Sequence, residues 1–197
     1  TVDTVCLDKT GTLTRNRVEP AVAFVGMRHH SCESGAFHTT PHDLRILLEL
    51  VVLNNDAHVV HEHPRVEFEG SPTESALLEM ALRGGINLSQ VRQHHPRLYT
   101  RHRSETEPFM TTTHRSGTRS RLMVVKGNPH AVLELCTRIH MSNHIRRLDD
   151  QTKAAILAVN DDWTTSDSYR VLGVAYDRYG EHEPSRDSEL IWLGLVG

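Results

Sequence analysis

Three helix-start signals, each with a proline at the first helical position, set many of the element boundaries in this 197-residue chain. A hydroxyl or amide side chain at the N-cap accepts a free backbone N–H, and proline suits the next position because no N–H is needed there. In the first signal Thr40 is the predicted N-cap and Asp43 stands at N3. The three signals are Thr40-Pro41, Ser71-Pro72 and Asn128-Pro129.

Short apolar runs between these helices predict strands, and their order indicates the fold class. Helices and strands do not alternate strictly, which favours an α+β fold. Residues 58–70 are predicted to form a loop that leads into a turn. The predicted strands cover residues 109–114, 121–125, 170–177 and 191–197, and a further helix covers residues 150–163.

Composition and charge exclude several classes of protein. The formal net charge is −3, which gives no reason to expect binding to nucleic acid or to an acidic membrane surface. No run of 18 apolar residues occurs, so the chain as given is not expected to contact a membrane directly. The three cysteines form no C-x-x-C pair, so their spacing predicts neither a disulfide framework nor a zinc knuckle.

The stretch DKTGTLT, residues 8–14, follows a short apolar strand. A carboxylate at the end of a strand faces the crevice where open α/β sheets bind ligands, and it can attack a phosphoryl group there. Lys9 and the Thr10 hydroxyl suit phosphate oxygens or a magnesium shell. A simple turn would explain a lone Asp-x-x-Gly, but it does not explain seven residues in this order.

This stretch resembles the phosphorylation signature of P-type ATPases, cation pumps with a haloacid-dehalogenase-like phosphorylation domain. The resemblance implies that Asp8 is the catalytic nucleophile for the γ-phosphoryl group of ATP. It also implies that Asp8 and Thr10 hold Mg²⁺ and that Lys9 and Thr10 lie at the nucleotide. Related phosphatases carry a second aspartate where this chain has Thr10, so an acyl phosphate at Asp8 is expected to persist.

Four further segments resemble the nucleotide-binding domain that these pumps insert into the phosphorylation domain. The resemblance implies that Glu74 lies near the adenine amino group, that Lys126 lines the pocket and that Arg170 reaches the phosphates. Thr73 and Gly127 belong to the same implied nucleotide site. Glu74 also fits a capping box with Ser71, and both roles are compatible. The segments are LNNDA at 53–57, EGSPTESALLEMA at 69–81, VVKGNPHAVLELC at 124–136 and YRVLGVAYD at 169–177.

Four positions depart from the family pattern, and two of them, Asn128 and His130, replace the usual alanine and glutamate after Gly127. Relatives stack a phenylalanine on adenine and place a lysine before a nearby methionine, whereas this chain has Arg103 and Pro108 there. The Arg103 guanidinium can stack on a base, and Phe109 or Tyr99 can take over that role.

The resemblance implies a twisted antiparallel sheet flanked by helices, with short terminal strands from the phosphorylation domain. The expected division is 1–16 for the start of that domain, 17–188 for the nucleotide-binding domain and 189–197 for the return strand. We expect a fragment of a pump of the calcium, sodium/potassium or magnesium-like branch, on the cytoplasmic face of a membrane. Its expected partners are ATP, Mg²⁺ and the rest of the pump, and it is expected to bind nucleotide without turnover.

Two other hypotheses remain at this point. The first is a free-standing haloacid-dehalogenase-like phosphohydrolase with Asp8 as nucleophile, against which Thr10 argues. The second is a metal-sensing module, because 15 histidines are present and His58, His61 and His63 lie close together. The Glu-His-Pro at 62–64 also occurs in heavy-metal pumps, but those pumps lack the Pro-Thr-Glu helix found here.

Overall fold

The computed structural model describes residues 18–32, 37, 40–61, 66–180 and 189–197. Among these residues no helix is both long and apolar enough to cross a bilayer. The helices are α1 (His42–Leu53), α2 (Pro72–Arg83), α3 (Leu88–His94), α4 (Pro129–Glu134) and α5 (Asp150–Thr165). The strands are β1 (Val22–Val25), β2 (Arg28–Ser31), β3 (His58–His61), β4 (Glu67–Glu69), β5 (Arg97–Arg101), β6 (Phe109–Arg115), β7 (Arg121–Gly127), β8 (Cys136–Met141), β9 (His144–Arg147), β10 (Leu172–Tyr179) and β11 (Leu190–Val196).

A nine-stranded, mostly antiparallel sheet forms the centre of the described structure. Its main order is β2-β1-β11-β10-β7-β6-β5, and β8 and β9 extend it beside β11. Among the described strands, β11 and β8 form the one parallel pair, and the other pairs are antiparallel. The predicted α+β class is therefore confirmed, and the sheet is antiparallel apart from this one pair.

Helices cover both faces of the sheet, and each face has its own apolar core. The cluster on one face joins α1 and α2 to side chains such as Leu122 and Val124 of β7. The cluster on the other face joins α4 and α5 to Val125 of the same strand. This separation follows from the period of two in a strand, because neighbouring side chains point to opposite faces.

Side-chain caps begin two of the predicted helices as the sequence indicates. The Ser71 hydroxyl accepts the Glu74 N–H at 3.3 Å, and the Asn128 side chain accepts the Ala131 N–H at 3.2 Å. In both helices proline stands at the start. These two predictions are confirmed because a cap needs only neighbouring residues.

The predicted cap of α1 is wrong. Pro41 occupies the N-cap position without a side-chain hydrogen bond, and the Thr40 hydroxyl donates instead to the Gly84 carbonyl at 3.4 Å. The Asp43 carboxylate accepts the backbone N–H groups of Ser142 and Asn143 at 2.7 and 3.2 Å. Both turn residues have positive φ angles, 50° and 66°, and this turn between β8 and β9 aims its N–H groups at α1.

One further segment differs from its prediction, and the last predicted strand is present. The predicted loop at residues 58–70 contains β3 and β4, which pair as an antiparallel hairpin. The strand predicted at residues 191–197 is present as β11, but it pairs with β1, β8 and β10 inside the central sheet. The assignment of residues 189–197 to a return strand of the phosphorylation domain remains a prediction. The predicted start of a phosphorylation domain at 1–16 lies outside the described residues.

The Asp43 contact should stabilise the fold measurably. We expect Asp43→Ala to lower the free energy of unfolding by about 2 kcal/mol, because two backbone N–H groups of the β8–β9 turn lose a charged acceptor. Urea unfolding measures this change. Asp150→Ala is the matched control, since it removes an exposed aspartate from the first turn of α5. If both variants lose the same free energy of unfolding, Asp43 stabilises the fold only through its interaction with the dipole of α1.

His114 should make stability depend on pH. Its ring lies beside the His95 carbonyl and the Thr112 hydroxyl at 3.1 and 2.9 Å, and burial lowers its pKa to about 4. The unfolded chain therefore binds more protons below pH 6.5. We expect the free energy of unfolding to fall by about 2 kcal/mol as the pH drops from 6.5 to 4. Urea unfolding of His114→Gln should show a flatter pH profile, whereas exposed His94→Gln should keep the original one.

Candidate functional site

The segment that follows α1 ties three elements together. The Asn54 side-chain amide donates to the carbonyls of Met110 on β6 and Val124 on β7 at 3.0 and 2.8 Å. The Asn55 side-chain amide donates to the Glu74 carbonyl on α2 at 2.9 Å. Both asparagines are buried, so these hydrogen bonds fix the end of α1 against the sheet and against α2.

Lys126 lies at this junction, near the end of β7 and opposite Met110 on β6. Its ammonium donates to the Asn54 carbonyl at 2.5 Å and to the Glu74 carboxylate at 3.4 Å. The side chains of Lys126 and Glu74 are only 7% and 18% exposed. Since an ammonium has three hydrogens, one has no partner among the described residues.

The electrostatics of this pair follow from its burial. Desolvation lowers the pKa of Lys126, while the Glu74 carboxylate counteracts part of that effect. Asp56 also favours the charged ammonium, whereas Arg97 disfavours it. The charge of Lys126 therefore depends on its partners at this junction. The partial exposure of Glu74 shows that the junction lies close to the surface of the domain.

Two arginines support the same segment from outside. The Arg97 guanidinium donates to the Leu53 and Asn55 carbonyls at 2.8 and 2.5 Å and pairs with Asp56 at 2.5 Å. Arg92 donates to the Ala57 carbonyl at 2.8 Å. Neither arginine was predicted as part of the site, although the polar Asn-Asn-Asp directly after an apolar helix is typical of a helix end whose carbonyls need donors.

Gly127 is required by packing between strands. A Cβ at this position would collide with the Pro108 carbonyl oxygen and with the Phe109 backbone on β6. The Asn128 N–H donates to the same Pro108 carbonyl at 2.9 Å. The described contacts therefore explain this glycine without a ligand, and its predicted role at the nucleotide remains a prediction.

The structure brings some of the predicted site residues together. Glu74 and Lys126 form a direct contact, and Thr73 precedes Glu74 in the first turn of α2. Arg170 is exposed and makes no hydrogen bond or ion pair with the described part of the chain. It lies just before β10, where Gly173 pairs with Gly127, so Arg170 and the end of β7 share one edge of the sheet. Asp8, Lys9 and Thr10 lie outside the described residues.

The residues considered for stacking on adenine are dispersed. Arg103 is exposed, and Tyr99 on β5 is 60% exposed. Phe109 packs against the core of α4 and α5, on the face opposite to the one that carries Leu122 and Val124. Side chains two residues apart on a strand lie on the same face, so Lys126 lies on the face of Leu122 and Val124. Phe109 therefore lies on the opposite face from Lys126.

The described residues contain no metal site of the kind that the metal-sensing hypothesis requires. Within them, no three side chains of His, Cys, Asp or Glu lie close enough together to hold a metal ion. Among the clustered histidines of the sequence, His58 lies on β3 and His63 falls outside the described ranges.

Comparison with known proteins gives consistent matches. The profile of the family described as "P-type ATPase, cytoplasmic domain N" matches residues 43–197. Calcium-transporting ATPase 1 of Lactococcus lactis is 26% identical over 195 residues, covering 97% of this chain and 21% of that protein. Calcium-transporting ATPase 1 of Bacillus cereus is 29% identical over 199 residues, covering 100% of this chain and 22% of that protein.

A cyanobacterial relative shows the same pattern of coverage. Cation-transporting ATPase pma1 of Synechocystis is 26% identical over 221 residues, covering 98% of this chain and 23% of that protein. The chain therefore spans about a fifth of the length of these curated relatives. The region that resembles this chain is thus one section of each of these longer relatives.

A double-mutant cycle should measure the coupling between Glu74 and Lys126. We expect Glu74→Gln and Lys126→Met each to destabilise the fold, and the double variant to lose about 1–3 kcal/mol less than the sum, because each single change leaves a partly buried charge unpaired. Urea unfolding gives all four free energies. The matched control is the exposed Arg45–Glu49 pair on α1, which should couple by only about 0.3–0.5 kcal/mol. Equal coupling in both pairs would contradict the expectation.

Proposed function

Because the chain belongs to the P-type ATPase cytoplasmic domain N family, we propose that it binds ATP at the junction where Lys126 contacts Glu74. The single observation that carries this proposal is the buried Lys126–Glu74 contact at the end of β7. A buried charge needs partners, and such charges are concentrated at functional sites. The family membership then supplies the class of ligand.

The chemistry of the junction fits the base of a nucleotide. The adenine amino group is a donor that suits a carboxylate oxygen of Glu74, and the free hydrogen of Lys126 suits a ring nitrogen or a ribose oxygen. Thr73 adds a hydroxyl in the first turn of α2. Met110, opposite Lys126 on β6, provides an apolar neighbour for the base.

The phosphates require cations beyond this pair. Glu74 compensates most of the charge of Lys126, so the pair contributes little net attraction for a triphosphate. Arg170 is an exposed guanidinium at the same sheet edge, and a guanidinium can donate two parallel hydrogen bonds to a phosphate. We assign Arg170 to the phosphates and Gly127 to the edge of the pocket.

The larger proposal concerns the whole pump. An oxygen of the Asp8 carboxylate would form a bond to the γ-phosphorus of ATP as the bond to the ADP oxygen breaks, which gives ADP and an aspartyl phosphate. Lys9 and Thr10 would contact phosphate oxygens, and Asp8 and Thr10 would hold the Mg²⁺ that offsets their charge. We assign residues 1–16 to the phosphorylation domain. The relatives' names support transport of calcium or another cation by the complete protein.

Titration of the protein with ATP, followed by two-dimensional amide NMR, tests the nucleotide site. We expect amide shifts around Glu74, Lys126 and Arg170, and about tenfold weaker binding for Glu74→Ala and Lys126→Ala, because each loses a hydrogen bond to a charged group. Lys153→Ala on α5 and Glu49→Ala on α1 are the matched controls, and both should bind as the wild type does.

Two results would contradict the proposed site. If no amide shifts at millimolar ATP, the junction does not bind nucleotide. If ATP shifts amides elsewhere and both site variants bind normally, the ligand class is correct but the location is wrong. A screen of small phosphate esters, run alongside, separates this proposal from a phosphohydrolase, which would release phosphate from them.

A further inference from the structure

The Asn54 side chain is wholly buried and has no assigned role in ligand binding. Its amide nitrogen donates to two carbonyls on two different strands, those of Met110 and Val124. Its amide oxygen is also buried and has no hydrogen-bond partner among the described residues. A buried polar group that is only half satisfied is costly, so a role other than filling space is expected.

The two acceptors of Asn54 are both close to Lys126 in the sheet. Met110 is directly opposite Lys126 across the β6–β7 pair, and Val124 is two residues earlier on the same strand. The Asn54 amide is thus bound to the backbone of the lysine's own strand and to that of the neighbouring strand. This arrangement fixes the position of the Asn54 backbone, whose carbonyl accepts the Lys126 ammonium at 2.5 Å.

The geometry points to Asn54 as a positioning residue for Lys126. We propose that its side-chain amide anchors the carbonyl that takes one ammonium hydrogen, while Glu74 takes a second and the third is left for a ligand. This inference rests on the proposed nucleotide site, because the ligand that would use the third hydrogen is ATP. Asn54 itself would not contact the nucleotide.

A purely structural role makes a different prediction. Asn54 also ends α1, where its backbone N–H donates to the Leu50 carbonyl, so its loss could simply destabilise the helix end. Such a loss would weaken the fold without changing the ionisation of Lys126 in molecules that remain folded. The pKa of Lys126 therefore distinguishes the two roles.

The sign of the pKa change follows from the groups around Lys126. These are Glu74 on α2, Asp56 after α1 and Arg97 on β5, together with the Asn54 carbonyl. The carbonyl stabilises the charged ammonium, and burial disfavours it. When the carbonyl is no longer held in place, the pKa of Lys126 should fall further below its ordinary value. Binding that needs the ammonium should then decline at a lower pH than in the wild type.

The experiment compares Asn54→Ala with Asn160→Ala. Asn160 is also a buried asparagine, but it lies on α5, and its side-chain amide donates a hydrogen bond to the Asp161 carboxylate. Lysine labelled with ¹³C at Cε reports the ionisation of Lys126 by NMR, and the remaining lysines, Lys9 and Lys153, are assigned by substitution. ATP affinity is measured by titration at several pH values, and the amide spectrum of each variant shows whether it is folded.

We expect Asn54→Ala to lower the pKa of Lys126 by about one unit and to weaken ATP binding by about tenfold, as for a lost hydrogen bond to a charged group. Asn160→Ala should change neither quantity. Asn54→Ser keeps one donor and should lie between Asn54→Ala and the wild type. This graded series is the second readout if the alanine variant is only partly folded.

The remaining outcomes separate this inference from the proposed function. If the pKa of Lys126 falls in Asn54→Ala while the wild type binds no ATP, Asn54 positions the lysine but the ligand assignment fails. If the wild type binds ATP and a folded Asn54→Ala retains both its affinity and its lysine pKa, the inference is overturned. It is equally overturned if both Asn54 variants fail to fold while Asn160→Ala folds, because Asn54 then holds the fold alone.

Discussion

The buried ammonium of Lys126 is the constraint around which one face of this domain is arranged. An ammonium removed from water costs several kcal/mol unless acceptors replace the water. Here the acceptors come from two separate elements, the backbone after α1 and the Glu74 carboxylate on α2. The ends of α1, α2 and β7 must therefore meet at one point. Arg97 and Arg92 also hold the segment after α1 in place, because they donate hydrogen bonds to its backbone carbonyls.

Features that depend on neighbouring residues could be predicted from the sequence. Ser71 and Asn128 cap their helices as expected, because the N–H group they accept lies three residues away. The strands β6, β7 and β10 follow the apolar pattern of their own segments. The contact between Glu74 and Lys126 was not predicted, because the family resemblance implied only that each lies at the nucleotide site and no local pattern links residues 52 positions apart.

Features that depend on distant partners could not be predicted. Asp43 looked like part of a local helix start, but its partners are turn residues about a hundred positions later. The final apolar strand was predicted from its own pattern, but its pairing partners in the central sheet could not be, because they lie in distant segments of the chain. Asn54 has the same limitation, because its amide binds carbonyls on β6 and β7 that the sequence places far from α1.

The near neutrality of the Lys126–Glu74 pair bears on how the proposed site would treat a charged ligand. A site that recognises the base through a neutral pair gains little from the phosphates, so its affinity for ATP would depend weakly on phosphate charge. The triphosphate would then extend from the junction towards exposed cations such as Arg170. In the proposed transfer to Asp8, a base held firmly and phosphates held loosely would leave the γ-phosphoryl group free to reach the carboxylate. We therefore expect the buried pair to determine which nucleotide binds, and the exposed edge to determine how readily its phosphate is presented.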